Sequence, residues 1–192
     1  MLKEVDETEN KFVSYITDAL LHRLTGCTNL KDAKILRISE SDAKLKFIEN
    51  MDQVPNLEDL DLSDNEIPQM RGLSCLKNLK VLNLSTNMIS MIEGFESLSR
   101  LEELDLSGNQ IERIPASIKA LLALKVLKLH NNKLSTLRDV ALLRPLKNLI
   151  SLTIFQNPLA ELEHSRGFCV YQLPSLSTLD DAPLDDEERT AA

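Results

Sequence analysis

The sequence contains few of the residues that usually fill a globular core or form tight turns around it. Its 192 residues include no tryptophan, and aromatic residues make up only 4% of them. Leucine therefore has to supply most of the core, which suits a stack of similar layers. Glycine occurs only 5 times, so most tight turns must use Asn, Asp or Ser. A hydrophobic fraction of 43% and a charged fraction of 27% are still ordinary for one globular domain.

Further absences exclude several classes of protein. Cys27, Cys75 and Cys169 are far apart and form no C-x-x-C motif, so neither a disulfide framework nor a zinc site is predicted. That usage fits a reducing, intracellular compartment. No apolar run approaches the roughly 18 residues of a membrane span, and neither a span nor a signal peptide is predicted. The net charge of −8 disfavours nucleic acid as a partner and favours a basic or amphipathic protein segment.

A repeated motif dominates what is present. Five asparagines each follow, by eight residues, a leucine that opens the pattern L-x-x-L-x-[L/I]-x-x-N: Asn65, Asn87, Asn109, Asn132 and Asn157. Their spacings of 22, 22, 23 and 25 residues indicate a leucine-rich repeat solenoid. A degenerate first unit precedes them, with Ser41 at the asparagine position. We interpret the asparagines as a structural ladder whose amides pair with backbone groups of adjacent units.

The repeat predicts an α/β fold with a curved parallel sheet of about six short strands. Apolar residues at three-residue spacing predict helical or 3-10 segments on the convex side. Residues 1–28 are predicted to form an N-terminal capping helix, running from Thr8 to Thr25 with Gly26 as its cap. Residues 29–157 would form the repeats, and residues 158–183 a C-terminal cap that includes Phe168 and Tyr171. Residues 184–192 would be a tail or the start of a further helix.

No arrangement of residues predicts catalysis. His22, His130 and His164 lie in separate parts of the sequence, so no pair of nucleophile and base is indicated. The sequence contains no H-E-x-x-H motif, no G-x-S-x-G motif and no glycine-rich phosphate loop. We therefore predict a non-enzymatic protein with no cofactor, no metal and no catalytic residue.

The repeat register instead predicts which residues face outward from the strands. They alternate with the buried leucines or follow them directly. The candidate partner-binding residues on this concave face are Asp59, Asp61, Asp64, Val81, Asn83, Glu103, Asp105, Val126, Lys128, His130 and Phe155. Thr153 continues the same row. Such a face is either a solvated surface or a docking site for a basic or amphipathic segment, with the valines and Phe155 as apolar anchors.

The repeats resemble the 22-residue subclass of leucine-rich repeats that is named for the phosphatase regulator Sds22. The resemblance is carried by Ser63-x-Asn65-x-Ile67-x-x-Met70 and by the matching Ser85-x-Asn87-x-Ile89. Members of this family include phosphatase regulators, a dynein light chain, splicing factors, tubulin-folding factors and centrosomal proteins. Four stretches that lie partly outside the generic repeat are similar to the repeat region of centrosomal coiled-coil proteins: residues 15–20, 47–50, 146–152 and 157–158.

The resemblance implies a function without identifying binding residues. It implies a cytoplasmic, non-enzymatic interaction module of a centrosome, basal body, cilium or other cytoskeletal structure. We expect the isolated domain to be monomeric. In such proteins the repeats precede a long coiled coil, which the acidic helical start at Glu187 and Glu188 would match. The alternative that it implies is an Sds22-like regulatory subunit of a protein phosphatase.

Overall fold

One continuous sheet runs through the whole solenoid. The computed structural model describes residues 15–38 and 44–191, and within them eight strands lie side by side in sequence order. The strands are β1 (Ile35–Arg37), β2 (Asp59–Asp61), β3 (Val81–Asn83), β4 (Glu103–Asp105), β5 (Val126–Lys128), β6 (Ser151–Thr153), β7 (Thr178–Leu179) and β8 (Ala182–Pro183). Neighbouring strands are parallel except for the antiparallel pair β7 and β8. The leucine-rich repeat solenoid predicted from the sequence is confirmed.

Alternating burial explains why each strand forms where it does. In β2 to β5 a fully buried leucine stands between two half-buried residues. The strands pair in register, so that Leu60 lies opposite Leu82 and Leu82 opposite Leu104. We call each repeat unit a coil and number it by its strand, so that coil 2 contains β2. Leucines of successive coils thus stack into one core that follows the sheet.

The convex side is less helical than predicted. Coils 2 and 3 return through turns, and neither contains a helix among the residues that separate their strands. In coil 4 a 3-10 helix spans Ala116–Ala120, and in coil 5 an α-helix, α2, spans Leu137–Ala141. Short 3-10 helices also occur at Leu30–Asp32, Met51–Gln53 and Pro158–Glu161. Three-residue apolar spacing alone did not distinguish a helix from a buried turn, because both place side chains inward.

The N-terminal helix is shorter than the predicted one. Helix α1 spans Asp18–Thr25, and Thr17 has an extended backbone whose side chain accepts a hydrogen bond from the Leu20 N–H. The predicted continuous helix from Thr8 is therefore wrong at residues 15–17, where this N-cap begins the helix. Gly26 ends α1 with a φ of 65°. The predicted start at Thr8 and the degenerate rung at Ser41 both lie outside the described residues.

The C-terminal end of the core is covered by two helices and a strand pair. Helix α3 spans Ser165–Gln172, and helix α4 spans Asp186–Ala191. The Arg189 guanidinium donates to the carbonyl oxygens of Pro174 and Leu176, while Arg166 pairs with Glu188. These contacts hold α4 against α3 and against the segment that precedes β7. Tyr171, predicted as part of the cap, is 65% exposed and does not contribute its ring to the core.

Candidate protein-binding face

The concave face consists of three rows of side chains that cross the strands. Two rows come from the residues that flank each strand's central leucine, and the third comes from the residue two places after the strand. The first row is Ile35, Asp59, Val81, Glu103, Val126 and Ser151, and the second is Arg37, Asp61, Asn83, Asp105, Lys128 and Thr153. Most of the predicted binding residues thus lie on one continuous surface.

Salt bridges neutralise much of the acidity that the sequence indicates. Arg37 contacts Asp59 at 3.1 Å. Lys128 contacts Glu103 at 3.1 Å and Asp105 at 3.3 Å. Although burial opposes the charge of Lys128, its hydrogen bonds to Glu103 and Asp105 raise its pKa above the usual lysine value. The face is therefore a patchwork of paired charges rather than a uniformly acidic surface.

Asp61 differs from the other acids of this face. One of its carboxylate oxygens accepts a hydrogen bond of 2.9 Å from the backbone N–H of Ser63. Within residues 15–38 and 44–191 it makes no salt bridge, so its charge is available to a partner. Asn83 occupies the same position in the next coil and accepts the equivalent bond from Ser85 at 3.0 Å. Asp61 and Asn83 thus accept the same hydrogen bond, but only Asp61 carries a charge.

An aromatic pair stands at the C-terminal end of the face. The rings of His130 and Phe155 are stacked, with centroids 4.5 Å apart and planes 10° from parallel. His130 Nδ1 lies 3.0 Å from the hydroxyl of Thr153, and Thr153 is only 3% exposed. Thr153 is thus buried by its neighbours, although its place in the row predicts that it faces solvent. The carboxylate of Asp180 accepts hydrogen bonds from the backbone N–H groups of Ile154 and Phe155.

Three predicted residues contribute less to the surface than the register suggests. Val81 and Val126 are half-buried, so only part of each side chain reaches the surface. Asp64 lies beyond its strand, in a turn where its φ is 55°, and it is exposed at the edge of the sheet. Asp64 is therefore not a member of the strand face, because the chain turns before reaching it.

The asparagine ladder lies beside this face and holds adjacent coils together. The amide nitrogen of Asn87 donates to the carbonyl oxygen of Leu62 in the preceding coil at 2.9 Å and to that of Leu84 at 3.1 Å. Its side-chain oxygen accepts from the Ile67 N–H at 3.0 Å. Equivalent bonds surround Asn65, Asn109, Asn132 and Asn157. Each amide thus satisfies backbone groups that would otherwise be buried without partners.

A second ladder was missed by the sequence analysis. The residue before each strand alternates in charge along coils 1 to 5: Lys34, Glu58, Lys80, Glu102 and Lys125. We call these residues the charge ladder. Glu58 bridges Lys34 at 3.1 Å and Lys80 at 2.7 Å, and Glu102 contacts Lys125 at 2.6 Å. The alternation is visible in the sequence once the repeats are aligned. The alternation ends in coil 6, where the residue before the strand is Ile150, which is 46% exposed.

Within the described part of the chain, no group of three His, Cys, Asp or Glu side chains could hold a metal ion. No described helix is both long and apolar enough to cross a membrane. What the concave face offers is an open row of charges, amides and one aromatic pair on a rigid sheet, which suits contact with another macromolecule more than chemistry on a small substrate.

The fold and the repeated ladder define a leucine-rich repeat protein. A family model described as leucine-rich repeat matches residues 82–192, and a second, described as two copies of the repeat, matches residues 55–97. The chain belongs to the leucine-rich repeat family. Over 184 residues it is 46% identical to mouse centriolin, which covers 94% of this chain. The chain spans only 8% of the length of that relative.

Solved structures agree on the fold. An internalin C2 from Listeria monocytogenes superposes with a TM-score of 0.65 at 25% identity, over 88% of this chain and 76% of its own. A chain of the Drosophila melanogaster SNF/U2A' complex superposes with a TM-score of 0.59 at 24% identity, over 93% of this chain and 90% of its own. Likenesses this distant support the architecture and carry no information about a partner.

Proposed function

We propose that this domain is a non-enzymatic protein-binding module of a centrosome-associated protein and that its partner lies along the concave face. The similarity to centriolin supports the centrosomal setting, because it extends over 94% of the chain and so includes the end caps as well as the repeats. The observation that carries the binding mode is the half-buried carboxylate of Asp61, which lies on a continuous strand face and makes no salt bridge within the described residues.

The charges of the face favour a basic or amphipathic partner segment. Across β1 to β6 the two strand rows contain four carboxylates and two cations. Those cations are already held by Asp59, Glu103 and Asp105, so Asp61 is the acid best placed to receive a lysine or arginine from outside. Neighbouring strands lie about 4.8 Å apart, so a bound segment could contact several coils at once.

The stacked rings of His130 and Phe155 would supply an apolar anchor at the other end of the segment. Earlier coils carry Ser63, Ser85 and Ser107 at the same position, so Phe155 is a local change from small polar to aromatic. Aromatic side chains are enriched among the residues that dominate binding energy at interfaces. A partner with a basic residue and an apolar residue several strands apart would match both features.

The test uses variants that leave the local backbone contacts in place. Asp61→Asn removes the charge but keeps the acceptor for Ser63, as Asn83 does for Ser85. Phe155→Ser introduces the residue of earlier coils. The matched control is Glu96→Lys, an exposed position on the convex side. A fluorescent fusion of the domain is expected to concentrate at the centrosome, and the double variant Asp61→Asn/Phe155→Ser is expected to abolish this while Glu96→Lys preserves it.

Each other outcome removes a part of the proposal. Equal centrosomal localisation of all variants would reject the concave face as the binding surface, while the proposed association with the centrosome would stand. Absence of centrosomal enrichment for the unmodified domain would reject the setting. Co-purification of a phosphatase catalytic subunit that depends on Asp61 and Phe155 would replace both with the Sds22-like regulatory function.

A further inference from the structure

A second surface lies on the convex side, between coils 3 and 4. There the structure contains a groove of about 440 Å³. Its lining is mainly apolar and consists of Ser90, Met91, Ile92, Glu93, Glu112, Arg113, Pro115 and Ser117. Met91 is 57% exposed, although it stands next to the buried Ile92. A long apolar side chain left in solvent beside a groove has no role in the core.

The groove lies where a contact that links the preceding two coils is not repeated. Between coils 2 and 3, Arg71 contacts Glu93 at 3.2 Å across the junction. Pro115 occupies the matching position of coil 4 and has no charge with which to continue the row. Arg113, a cation that lines the groove, is instead drawn toward coil 5, where its Nε lies 3.1 Å from the carboxylate of Asp139.

The contact with Asp139 ties the Arg113 side chain, which also lines the groove, to coil 5. Asp139 belongs to α2 and is completely buried, and one of its oxygens has no hydrogen-bond partner within the described residues. A buried carboxylate without its cation is costly, so Arg113 stays paired with Asp139. Coils 3 and 4 also differ in path, since Gly94 makes a left-handed turn where coil 4 enters its 3-10 helix.

The charges around the groove indicate what it would accept. Glu112 is exposed and makes no salt bridge within residues 15–38 and 44–191, whereas Arg113 is already paired. The rim therefore presents a carboxylate beside an apolar floor. Methionine is flexible and polarizable, and it adapts well to varied apolar partners. Together these features match a segment that carries an apolar side chain close to a cation.

We propose that this groove binds an amphipathic helical segment of a partner protein, with an apolar side chain against Met91 and Pro115 and a lysine or arginine beside Glu112. Such helix-in-groove recognition uses a few apolar anchors at helical spacing. The site is separate from the concave face and does not depend on the function proposed for it. The two surfaces together would let one domain hold two partners.

The experiment selects a displayed library of random short peptides on the wild-type domain and, in parallel, on Met91→Lys. Peptides enriched on the wild type alone are expected to carry apolar residues at three- and four-residue spacing with an adjacent lysine or arginine. One such peptide is then titrated into the domain with ¹³C-labelled methionine methyls. The Met91 methyl is expected to shift to saturation, whereas the buried Met51 and Met70 should remain unchanged.

Three variants test the geometry by the same titration. Glu112→Lys is expected to weaken binding about tenfold or more. Gln69→Lys, at the position of Met91 one coil earlier, and Val81→Lys, on the concave face, are the matched controls and should bind as the wild type does. Peptides that bind Met91→Lys equally, or an acidic consensus, would overturn the proposal. A domain dimer that Met91→Lys dissociates in sedimentation experiments would also overturn it, because the occupant would be a second copy.

Discussion

At the residue scale, the turn after each strand from β2 to β6 has a left-handed backbone whatever side chain stands there. The equivalent positions of coils 2 to 6 all have positive φ: Asp64 at 55°, Thr86 at 53°, Gly108 at 65°, Asn131 at 54° and Gln156 at 54°. Glycine and asparagine adopt this conformation readily, whereas a β-branched residue is strained in it. Thr86 is therefore the weakest of these turns.

Replacing Thr86 by asparagine should stabilise the domain. Asn131 already occupies the equivalent turn, and the backbone N–H of Thr86 would keep its bond to the Ser107 carbonyl oxygen at 2.8 Å. We expect Thr86→Asn to raise the free energy of unfolding by about 0.5–1 kcal/mol, as measured by urea denaturation. Gly108→Ala is the opposite control and should destabilise, because its Cβ would approach the Thr86 backbone at 3.3 Å. A destabilised Thr86→Asn would show that the turn is not strained.

The sequence predicted the directions of individual side chains better than their partners. Asp61, Asn83 and Asp105 lie on the strand face as the alternation requires. The double contact of Lys128 with Glu103 and Asp105 was not predictable, because it depends on how far a lysine reaches across parallel strands. The burial of Thr153 was also missed, because it depends on the stacked rings of His130 and Phe155 beside it.

At the scale of single elements, the return path of coils 2 and 3 depends on one glycine each. Gly72 has a φ of 94°, and a Cβ there would lie 2.0 Å from the carbonyl oxygen of Ile48 in coil 1. Gly72→Ala should therefore lower the free energy of unfolding by about 3 kcal/mol or more. Gly167→Ala is the matched control. Gly167 lies within α3 with nothing near its missing Cβ, so alanine should stabilise by about 0.5–1 kcal/mol. Equal effects of the two changes would contradict the turn geometry.

The charge ladder should make stability depend on pH in the acid range. Hydrogen bonds from Lys80 and then Lys34 hold the pKa of Glu58 below its usual value of 4.5. A carboxyl group with a lowered folded-state pKa contributes stability above pH 4.5, and this contribution is lost as pH falls through the folded-state value. Glu58→Gln should therefore reduce both the acid-induced loss of stability and its salt sensitivity in urea titrations. Glu96→Gln, outside the ladder, should leave both unchanged. An unaltered pH profile for Glu58→Gln would mean that the ladder does not stabilise the fold.

The strands were the most predictable elements, and the ends of the solenoid were the least. In each unit the second and third apolar residues of the repeat alternate with surface residues, as in a strand that is buried on one side. The strands β2 to β6 therefore occur where the repeat predicts them. The break at Thr17 depends on a side-chain cap, and the antiparallel strand β8 depends on a turn at Asp180 and Asp181, both with positive φ. The cap and the turn each occur outside the repeat, so the repeat could not predict either of them.

At the scale of the whole molecule, the strands of the stack stabilise one another only through contacts between neighbours. Each inner strand pairs with one strand on either side, whereas β1 pairs with β2 alone on its sheet edge. In such arrays stability is approximately a sum of repeat and interface contributions, and the ends can open without the centre. The covered ends, with α1 on one side and α3, α4 and β8 on the other, limit this opening because they keep the terminal leucines out of water.

Two core truncations should therefore differ in how far their effects spread. Leu36 in β1 and Leu104 in β4 are 1% and 0% exposed, so alanine leaves a comparable cavity at either site. Leu104→Ala weakens two interfaces at the centre, and we expect it to cost about 3 kcal/mol and to raise hydrogen exchange throughout the sheet. Leu36→Ala should raise exchange mainly in α1, β1 and β2 and leave β4 to β6 protected. Hydrogen exchange followed by mass spectrometry separates these patterns. Uniform exchange in both variants would show that the solenoid unfolds as one cooperative unit, and a cost below about 0.5 kcal/mol for Leu104→Ala would place that side chain outside the core.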